Sequence, residues 1–431
     1  MIDIKFIREN PSLVHKAVKS KGVEANIDHV LEIDNRYREL SLEVQKLREE
    51  RNALNEQIKK NPNQWDKEGA QSLKIKLEKK EPALAAIKEE LFNLLLKIPN
   101  PPKVDVKVGK DQSENEVIRK HMLPSPFSFA PKDHLELGES LDIIDVKRAA
   151  KVSGTRFAYL KNEGALLEFA LIQLALEVLI REGFIPIIPP VLIHKEITEG
   201  LGYWQAGGNE DYYYLSDPDE KKEMYLVGTA EHVIVPMHKD EIFQKKELPK
   251  RYVGFSSAFR REAGSYGKDT KGILRVHQFD KVEMVSFTTK ENDDKEHEYL
   301  LSLEEKLFKM LEIPYQVVKM CTGDLGFPVA RKYDIEAWMP GQEKYREVTS
   351  TSTTTDFQAR RLNIRYIKDQ KSNIKDFVHI LNGTAFAIGR TLISILENYQ
   401  QEDGSVVIPE VLRKFVRFSS IRTESTSSTT A

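Results

Sequence analysis

The amino-acid sequence predicts an α+β protein in which an antiparallel two-helix coiled-coil arm precedes an antiparallel β-sheet domain flanked by helices. Three observations carry that expectation. Two heptad-spaced apolar series, residues 33 to 58 and 73 to 98, are separated by a turn signal. Two alternating apolar/polar runs meet across a Gly-rich loop between Phe259 and Arg275, the pattern of an antiparallel strand pair. Two apolar helical stretches, within residues 166 to 193 and 377 to 399, adjoin extended segments.

Taken in order, residues 1 to about 25 read as a short packing segment and residues 26 to 98 as the arm. On the first arm helix Ile33, Tyr37, Leu40, Val44, Leu47, Leu54 and Ile58 form a seam, and on the second Leu73, Leu77, Leu84, Ile87, Leu91, Leu94 and Ile98 form another. Folding at Asn61-Pro62-Asn63-Gln64-Trp65 pairs Ile58 with Leu73, Leu54 with Leu77, Leu47 with Leu84 and Ile33 with Ile98. Each pair has the same sum of residue numbers, so the helices match layer for layer. The seam from residue 33 to residue 58 spans about 38 Å at 1.5 Å per residue. One layer breaks it, with Arg51 opposite Lys80. Two like charges cannot both be buried unpaired, so their stems snorkel to water or an anion sits between them. Pro82 is expected to kink the second helix or open one turn.

Pro99-Asn100-Pro101-Pro102 ends the arm, and residues 103 to 131 are expected to cross to a body running from 132 to about 418. In the body, the helix within residues 166 to 193 stops at Gly183 and passes through Pro186, Pro189 and Pro190 into an extended stretch. The last apolar stretch runs through Asn382-Gly383-Thr384 into a helix opening near Arg390. From Ser419 the chain is a polar, Ser/Thr-rich tail expected to stay disordered.

The strand pair around residue 260 is the richest in chemistry. By alternation Arg260 and Glu262 share one face, and Arg275, His277, Phe279, Lys281 and Glu283 share one face of the partner. Such a face suits a nucleotide: arginine clamps phosphate, phenylalanine stacks on a base, and a carboxylate accepts from an amino group. A solvated hairpin face would carry similar charges, so the hairpin alone does not decide.

Composition sets limits. The 431 residues are 40% apolar, ample for two domains with a sizeable core. A formal net charge of −2 means that any RNA-binding surface must be a local basic patch. Cys321 is the sole cysteine, which leaves no disulfide within the chain and no cysteine-rich zinc site. The apolar run within 166 to 193 is broken by charges and prolines, so no membrane span is expected. Charges at Asp3, Lys5, Arg8 and Glu9 leave no signal-peptide core, pointing to the cytoplasm.

The segments around 166 to 193, 259 to 283 and 377 to 399 resemble, in order, motifs 1, 2 and 3 of the class II aminoacyl-tRNA synthetases. With the long arm, and with GTAEH, FRREAG, EVTSTSTTTDFQARRLNIR, NGTAFAIGRTLISILENYQ and IPEVLRKF, nearly the whole chain resembles the seryl-tRNA synthetases of bacterial type. The resemblance implies a class II catalytic domain and a ligase that activates serine with ATP and transfers it to tRNA-Ser, read through its long variable arm. It also implies a Mg²⁺ cofactor without zinc, a homodimer built on the motif 1 helix, and tRNA-Sec as a second acceptor where one exists.

Residue by residue, the resemblance implies that Arg260 bridges the α-phosphate and the serine carboxylate, and that Arg390 clamps ATP from the other side and covers the adenine opposite Phe279. Arg261, Glu262 and Val276 complete the expected adenine and phosphate contacts, with Glu347, Val348, Thr349 and Ser350 beside the ribose and the metal. Glu347 and Ser350 are the expected Mg²⁺ ligands. Thr229, Ala230, Glu231, Glu283 and Thr384 match the serine pocket. Arg51 and Lys80 are candidate tRNA contacts.

Three positions depart from the family pattern. Thr384 stands where Ser is common, Ala385 where Gly is common, and Thr351-Ser352-Thr353 where Cys-Ser-Asn is common in bacterial relatives. Two other readings remain at this point. A ligase loading a carrier protein would lack the long arm, and a coiled-coil binding protein with a dead body would have lost Arg260, Glu262 or Arg390.

Overall fold

The structure, a computed structural model, describes residues 1–62, 65–204, 208–216, 223–263, 271–369, 371 and 373–423. The chain divides into two compact units, Met1–Pro101 and Pro102–Ala431.

The first unit opens with two short helices, Ile4–Glu9 and Pro11–Ser20, followed by the long helices Ile27–Lys60 and Lys67–Leu96. Each long helix has a side-chain cap. Asn26 accepts from the His29 N–H at 3.0 Å and Asp66 from the Gly69 N–H at 2.8 Å, satisfying donors that a helix start leaves open. Acidic Asp28 and Glu68 lie in the first turns and Lys59 and Lys60 in a last turn, matching the helix dipole. The seam residues are buried or half-buried, and Ile33, Val44, Leu77 and Leu91 lie in the core. Ile98 is fully buried although the helix ends at Leu96. The second helix continues through Pro82. Asn63 and Gln64 of the expected turn lie outside the described residues.

In the layer of like charges the two side chains part. Lys80 is ion-paired with Glu43 of the opposite helix, and Arg51 is exposed. Arg48 Nε donates to Glu81 Oε1 at 2.8 Å, a second ion pair between the helices.

The second unit is built on an eight-stranded sheet. Its order is Glu116–His121, Tyr315–Lys319, Arg331–Met339, Lys344–Thr355, His379–Ala387, Gln278–Thr288, Lys250–Phe259 and Ile185–Ile187. All neighbours are antiparallel except the last, which lies parallel to Lys250–Phe259. Alternate residues serve two cores: Val282 and Met284 enter one, Val285 and Phe287 the other. The larger core receives Leu171, Leu300 and Leu392 from the helices Asn162–Arg181, Asp293–Met310 and Ile388–Asn398. Gly183, at φ +85°, takes the left-handed turn between the first of these helices and Ile185–Ile187.

Three expectations change here. The segment 103 to 131 is more than a crossover, since Glu116–His121 forms an edge strand of the sheet. Its residues are almost all exposed, so no apolar alternation marked it. The polar tail does not begin at Ser419, because Ser420–Ile421 pairs with Val406–Val407 and Ile421 is buried; residues 424–431 lie outside the described residues. The strand pair of the nucleotide face stops at Phe259 and Gln278, so Arg260, Glu262, Arg275 and His277 lie beyond it. Alternation therefore fails at its end, and the His277 ring lies tilted beside that of Phe157 instead. The loop carrying Gly264 and Gly267 lies outside the described residues.

Cys321 is fully buried, its thiol donating to the Asp111 carbonyl at 3.2 Å. Among the described residues no helix is long and apolar enough to cross a membrane.

Candidate active site

Long strands at the centre of the second unit carry the polar residues that the surrounding cores leave over. The strands Gln278–Thr288, His379–Ala387 and Lys344–Thr355 lie side by side, so Phe279, Lys281, Glu283, Asn382, Thr384, Glu347 and Ser350 open into one cavity of about 390 Å³. Thr229, Glu231, Arg260, Glu262, Arg275, Val276, Val348, Thr349 and Arg390 complete much of the lining. The sequence-predicted site is thus largely brought together. Two residues are not: Ala230 packs in the second apolar core, and Arg261 is exposed, its backbone N–H donating to the Asp211 carbonyl at 2.8 Å.

The guanidinium groups are held by groups that a substrate can replace. Arg260 Nε donates to the Gly228 carbonyl at 3.1 Å, and its Cζ lies 5.3 Å from the Phe279 ring centroid. The guanidinium beside the Phe279 ring is thus that of Arg260. Arg390 Nη1 donates to Glu347 Oε2 at 2.9 Å and to the Glu347 carbonyl at 3.1 Å. Burial alone would raise the Glu347 carboxyl, but Arg390 and Lys332 hold it well below the usual carboxylate range. Glu262 accepts from Arg275 Nη1 at 2.8 Å. Its φ of +54° is unusual for a non-glycine residue and turns the chain away from the strand just after Arg260.

The same cavity holds a buried acid pocket. Lys281 Nζ lies 2.6 Å from Glu283 Oε2, and the Thr384 hydroxyl donates to the same oxygen at 3.1 Å. Glu231 Oε1 accepts from the Tyr203 hydroxyl at 2.7 Å and from Gln358 Nε2 at 3.0 Å. Burial pushes Glu231 up, partly offset by those two donors. His232, beside Arg260, is kept neutral by burial, and the Gly228 N–H donates to its Nδ1 at 3.3 Å. A pocket with two carboxylates and one buried cation suits a small group bearing a positive charge and a hydroxyl.

Sequence reasoning missed Tyr203, Tyr212, His232, Asp324 and Lys332, all of which line the cavity. It placed Lys281 on the right face without giving it a role; strand alternation with Glu283 was the available signal. Tyr203 and Tyr212 come from irregular segments far from any motif, and nothing local marked them.

Glu347 and Ser350 line the same wall and offer a carboxylate and a hydroxyl oxygen to one region of the cavity. Among the described residues no group of three or more His, Cys, Asp or Glu side chains is placed to hold a metal. This donor set fits a hard cation that takes most of its ligands from phosphate oxygens and water, as Mg²⁺ does.

Comparison with known proteins agrees with this geometry. Residues 1–102 match the seryl-tRNA synthetase N-terminal domain, and residues 213–399 match the tRNA synthetase class II core domain (G, H, P, S and T). The serine–tRNA ligase of Dictyoglomus turgidum is 44% identical over 428 residues, covering 98% of this chain and 99% of the relative. That of Acidothermus cellulolyticus is 46% identical, covering 96% and 98%. The crystal structure of seryl-tRNA synthetase from Pyrococcus horikoshii complexed with ATP superposes with a TM-score of 0.90 at 41% identity, covering 98% of this chain and all of that one (100%). The cytoplasmic serine–tRNA ligase of Naegleria fowleri in complex with AMP gives 0.88 at 30% identity, covering 98% and 99%. Full-length likeness at this level, over both the helical arm and the sheet that frames the cavity, means that the chain belongs to the seryl-tRNA synthetase family.

Proposed function

We propose that the cavity activates L-serine with ATP to seryl-adenylate and then passes serine to the terminal 3′-hydroxyl of tRNA-Ser. Serine–tRNA ligation is the reaction of the family. The observation that carries the local reading is the pairing, in one cavity, of two arginines with the buried Lys281–Glu283–Thr384 group.

A serine carboxylate oxygen attacks the α-phosphate and pyrophosphate leaves. Both reactants are anionic, so the site must supply positive charge and hold them in line rather than provide a nucleophile. Arg260 exchanges the Gly228 carbonyl for the serine carboxylate and the α-phosphate. Arg390 exchanges Glu347 for phosphate, which frees the Glu347 carboxylate, already held ionised, for the metal. Glu347 and Ser350 would hold Mg²⁺, which when bound neutralises phosphate charge. Phe279 offers its ring to the adenine, Glu262 accepts from the adenine amino group, and Val276 reads the same edge; Val348 and Thr349 lie beside the ribose.

In the pocket Glu283 and Thr384 bind the serine hydroxyl, and Glu231 with Thr229 receives the ammonium. Because the pocket's polar groups would be left unpaired by alanine, serine is favoured over alanine by about 10⁴-fold or more. The side chains of Ala230 and Arg261 have no part in this assignment.

The long helical arm, in residues 1–102, recognises the variable arm of tRNA-Ser by shape and phosphate contact. Two copies of the chain act together as a homodimer in the cytoplasm, and tRNA-Sec is a further acceptor wherever the cell makes one. The test is ATP-dependent transfer of labelled serine to total bacterial tRNA, with alanine and threonine as controls. Serine-selective charging supports the reading. Serine-dependent exchange of pyrophosphate into ATP without transfer would keep the pocket and move the acceptor elsewhere, while absence of both would sink it.

A further inference from the structure

Behind the serine pocket lies a carboxyl that the two-step reaction does not use. Glu304, on the helix Asp293–Met310, is fully buried, and neither of its carboxyl oxygens has a hydrogen-bond partner of good geometry among the described residues. It stands against the strand His379–Ala387 at Gly383. A Cβ at that position would lie 2.9 Å from Glu304 Oε1, 3.1 Å from Met284 Cε and 3.2 Å from Thr351 Oγ1, so only hydrogen fits. Asn382 and Thr384, on either side of Gly383, point the other way and line the cavity. Glu304 therefore sets how far the backbone of Gly383 can retreat from the pocket.

The Thr349 hydroxyl adjoins the same carboxyl. The same hydroxyl also reaches the Thr384 carbonyl. Burial, with the neighbouring Glu283 and Asp334, pushes Glu304 well above the usual carboxylate range, in keeping with a neutral acid. Contacts thus run from Glu304 through Thr349 to Thr384, whose hydroxyl donates to Glu283 at 3.1 Å. The methyl of Thr384 can crowd a substrate only if the strand carrying it cannot move back.

We infer that Glu304 is a specificity-determining positioning residue: it buttresses the strand at Gly383 and Thr384, and so fixes a pocket depth that admits the hydroxymethyl of serine and excludes the extra methyl of threonine. This rests on the proposed placement of serine between Glu283 and Thr384.

The test is pyrophosphate exchange by the full chain with serine, threonine and ATP varied in turn. Glu304→Ala should raise the serine KM, and the threonine-to-serine ratio of kcat/KM, by about tenfold or more, the range that one methylene is worth in a pocket. The ATP KM should not move. Glu304→Gln keeps the shape and the polar end beside Thr349, and should restore both values. Should Glu304→Ala not fold, Glu304→Met fills the volume without the polar end and should shift the same way. A lowered melting temperature with serine KM and selectivity unchanged overturns the inference, as does a Glu304→Gln variant that behaves like Glu304→Ala. Glu283→Gln separates the two layers of the argument. If it raises the serine KM and Glu304→Ala does not, only the inference fails; if neither moves it, the placement of serine fails as well.

Discussion

Arg260 and Glu283 line one cavity, and their removal should fail in different ways. Arg260→Ala removes charge from the reacting phosphate, and serine-dependent pyrophosphate exchange should fall by about 10²–10³-fold with the fold intact. Glu283→Ala leaves Lys281 a buried cation without its partner, so this variant should also lose about 3–5 kcal/mol of stability, seen in denaturant melts. A third residue supplies a pH dependence. His297 is fully buried, accepts from Arg331 Nε at 3.1 Å, and is pushed down to about 3 by burial and by that guanidinium. An unfolded histidine titrates near 6.5, so between about 6.5 and 3 the unfolded chain binds a proton that the folded chain does not. Stability therefore rises with pH across that window and falls as acid is added. His297→Gln should flatten the slope of melting temperature against pH there; an unchanged slope would assign acid sensitivity to other groups.

At the scale of elements, the arm separates packing from charge. Leu77 is buried in the seam, and Leu77→Ala should cost about 2–5 kcal/mol in the hydrogen-exchange protection of both long helices. Exposed Arg51→Ala should stay within about 0.5 kcal/mol. Lys80→Ala should weaken tRNA binding and reduce its salt slope by about one phosphate contact, leaving ATP use unchanged. An unchanged slope would confine Lys80 to its pairing with Glu43. Legibility follows the same division. The arm was readable because a heptad seam repeats over many turns, and Phe279 and Glu283 because four-residue steps on a strand share a face. His277 was misplaced because pairing ends at Gln278 and alternation ends with it. The edge strand Glu116–His121 is exposed on both sides and left no pattern. Glu304 was invisible because a glutamate on a charged helix reads as solvated until the packing of that helix against the sheet is known.

At the scale of the molecule, the two compact units meet in sequence at Pro101 and Pro102. The cavity is lined entirely from the second of them. Residues 102–431 alone should therefore keep serine-dependent pyrophosphate exchange within a few-fold of the whole chain, while transfer to tRNA-Ser collapses. Loss of exchange as well would make the first unit a requirement for folding the second. The overall division was legible in Pro99-Asn100-Pro101-Pro102, where a helix cannot continue. The depth of the sheet was not, since the order of its strands depends on long-range pairings such as that of Lys344–Thr355 with His379–Ala387.

The lone thiol offers a use of its own. Cys321 is sealed beneath residues 109 and 111, where a Cβ on Gly109 would come within 2.8 Å of its sulfur. Alkylating reagents should thus find the native chain inert and react only when the stretch beside the edge strand lifts away. The rate of modification becomes a clock for that opening, read on the unaltered protein. A cysteine introduced at the tip of the arm would then be the single reactive handle for a fluorophore, with no background to subtract.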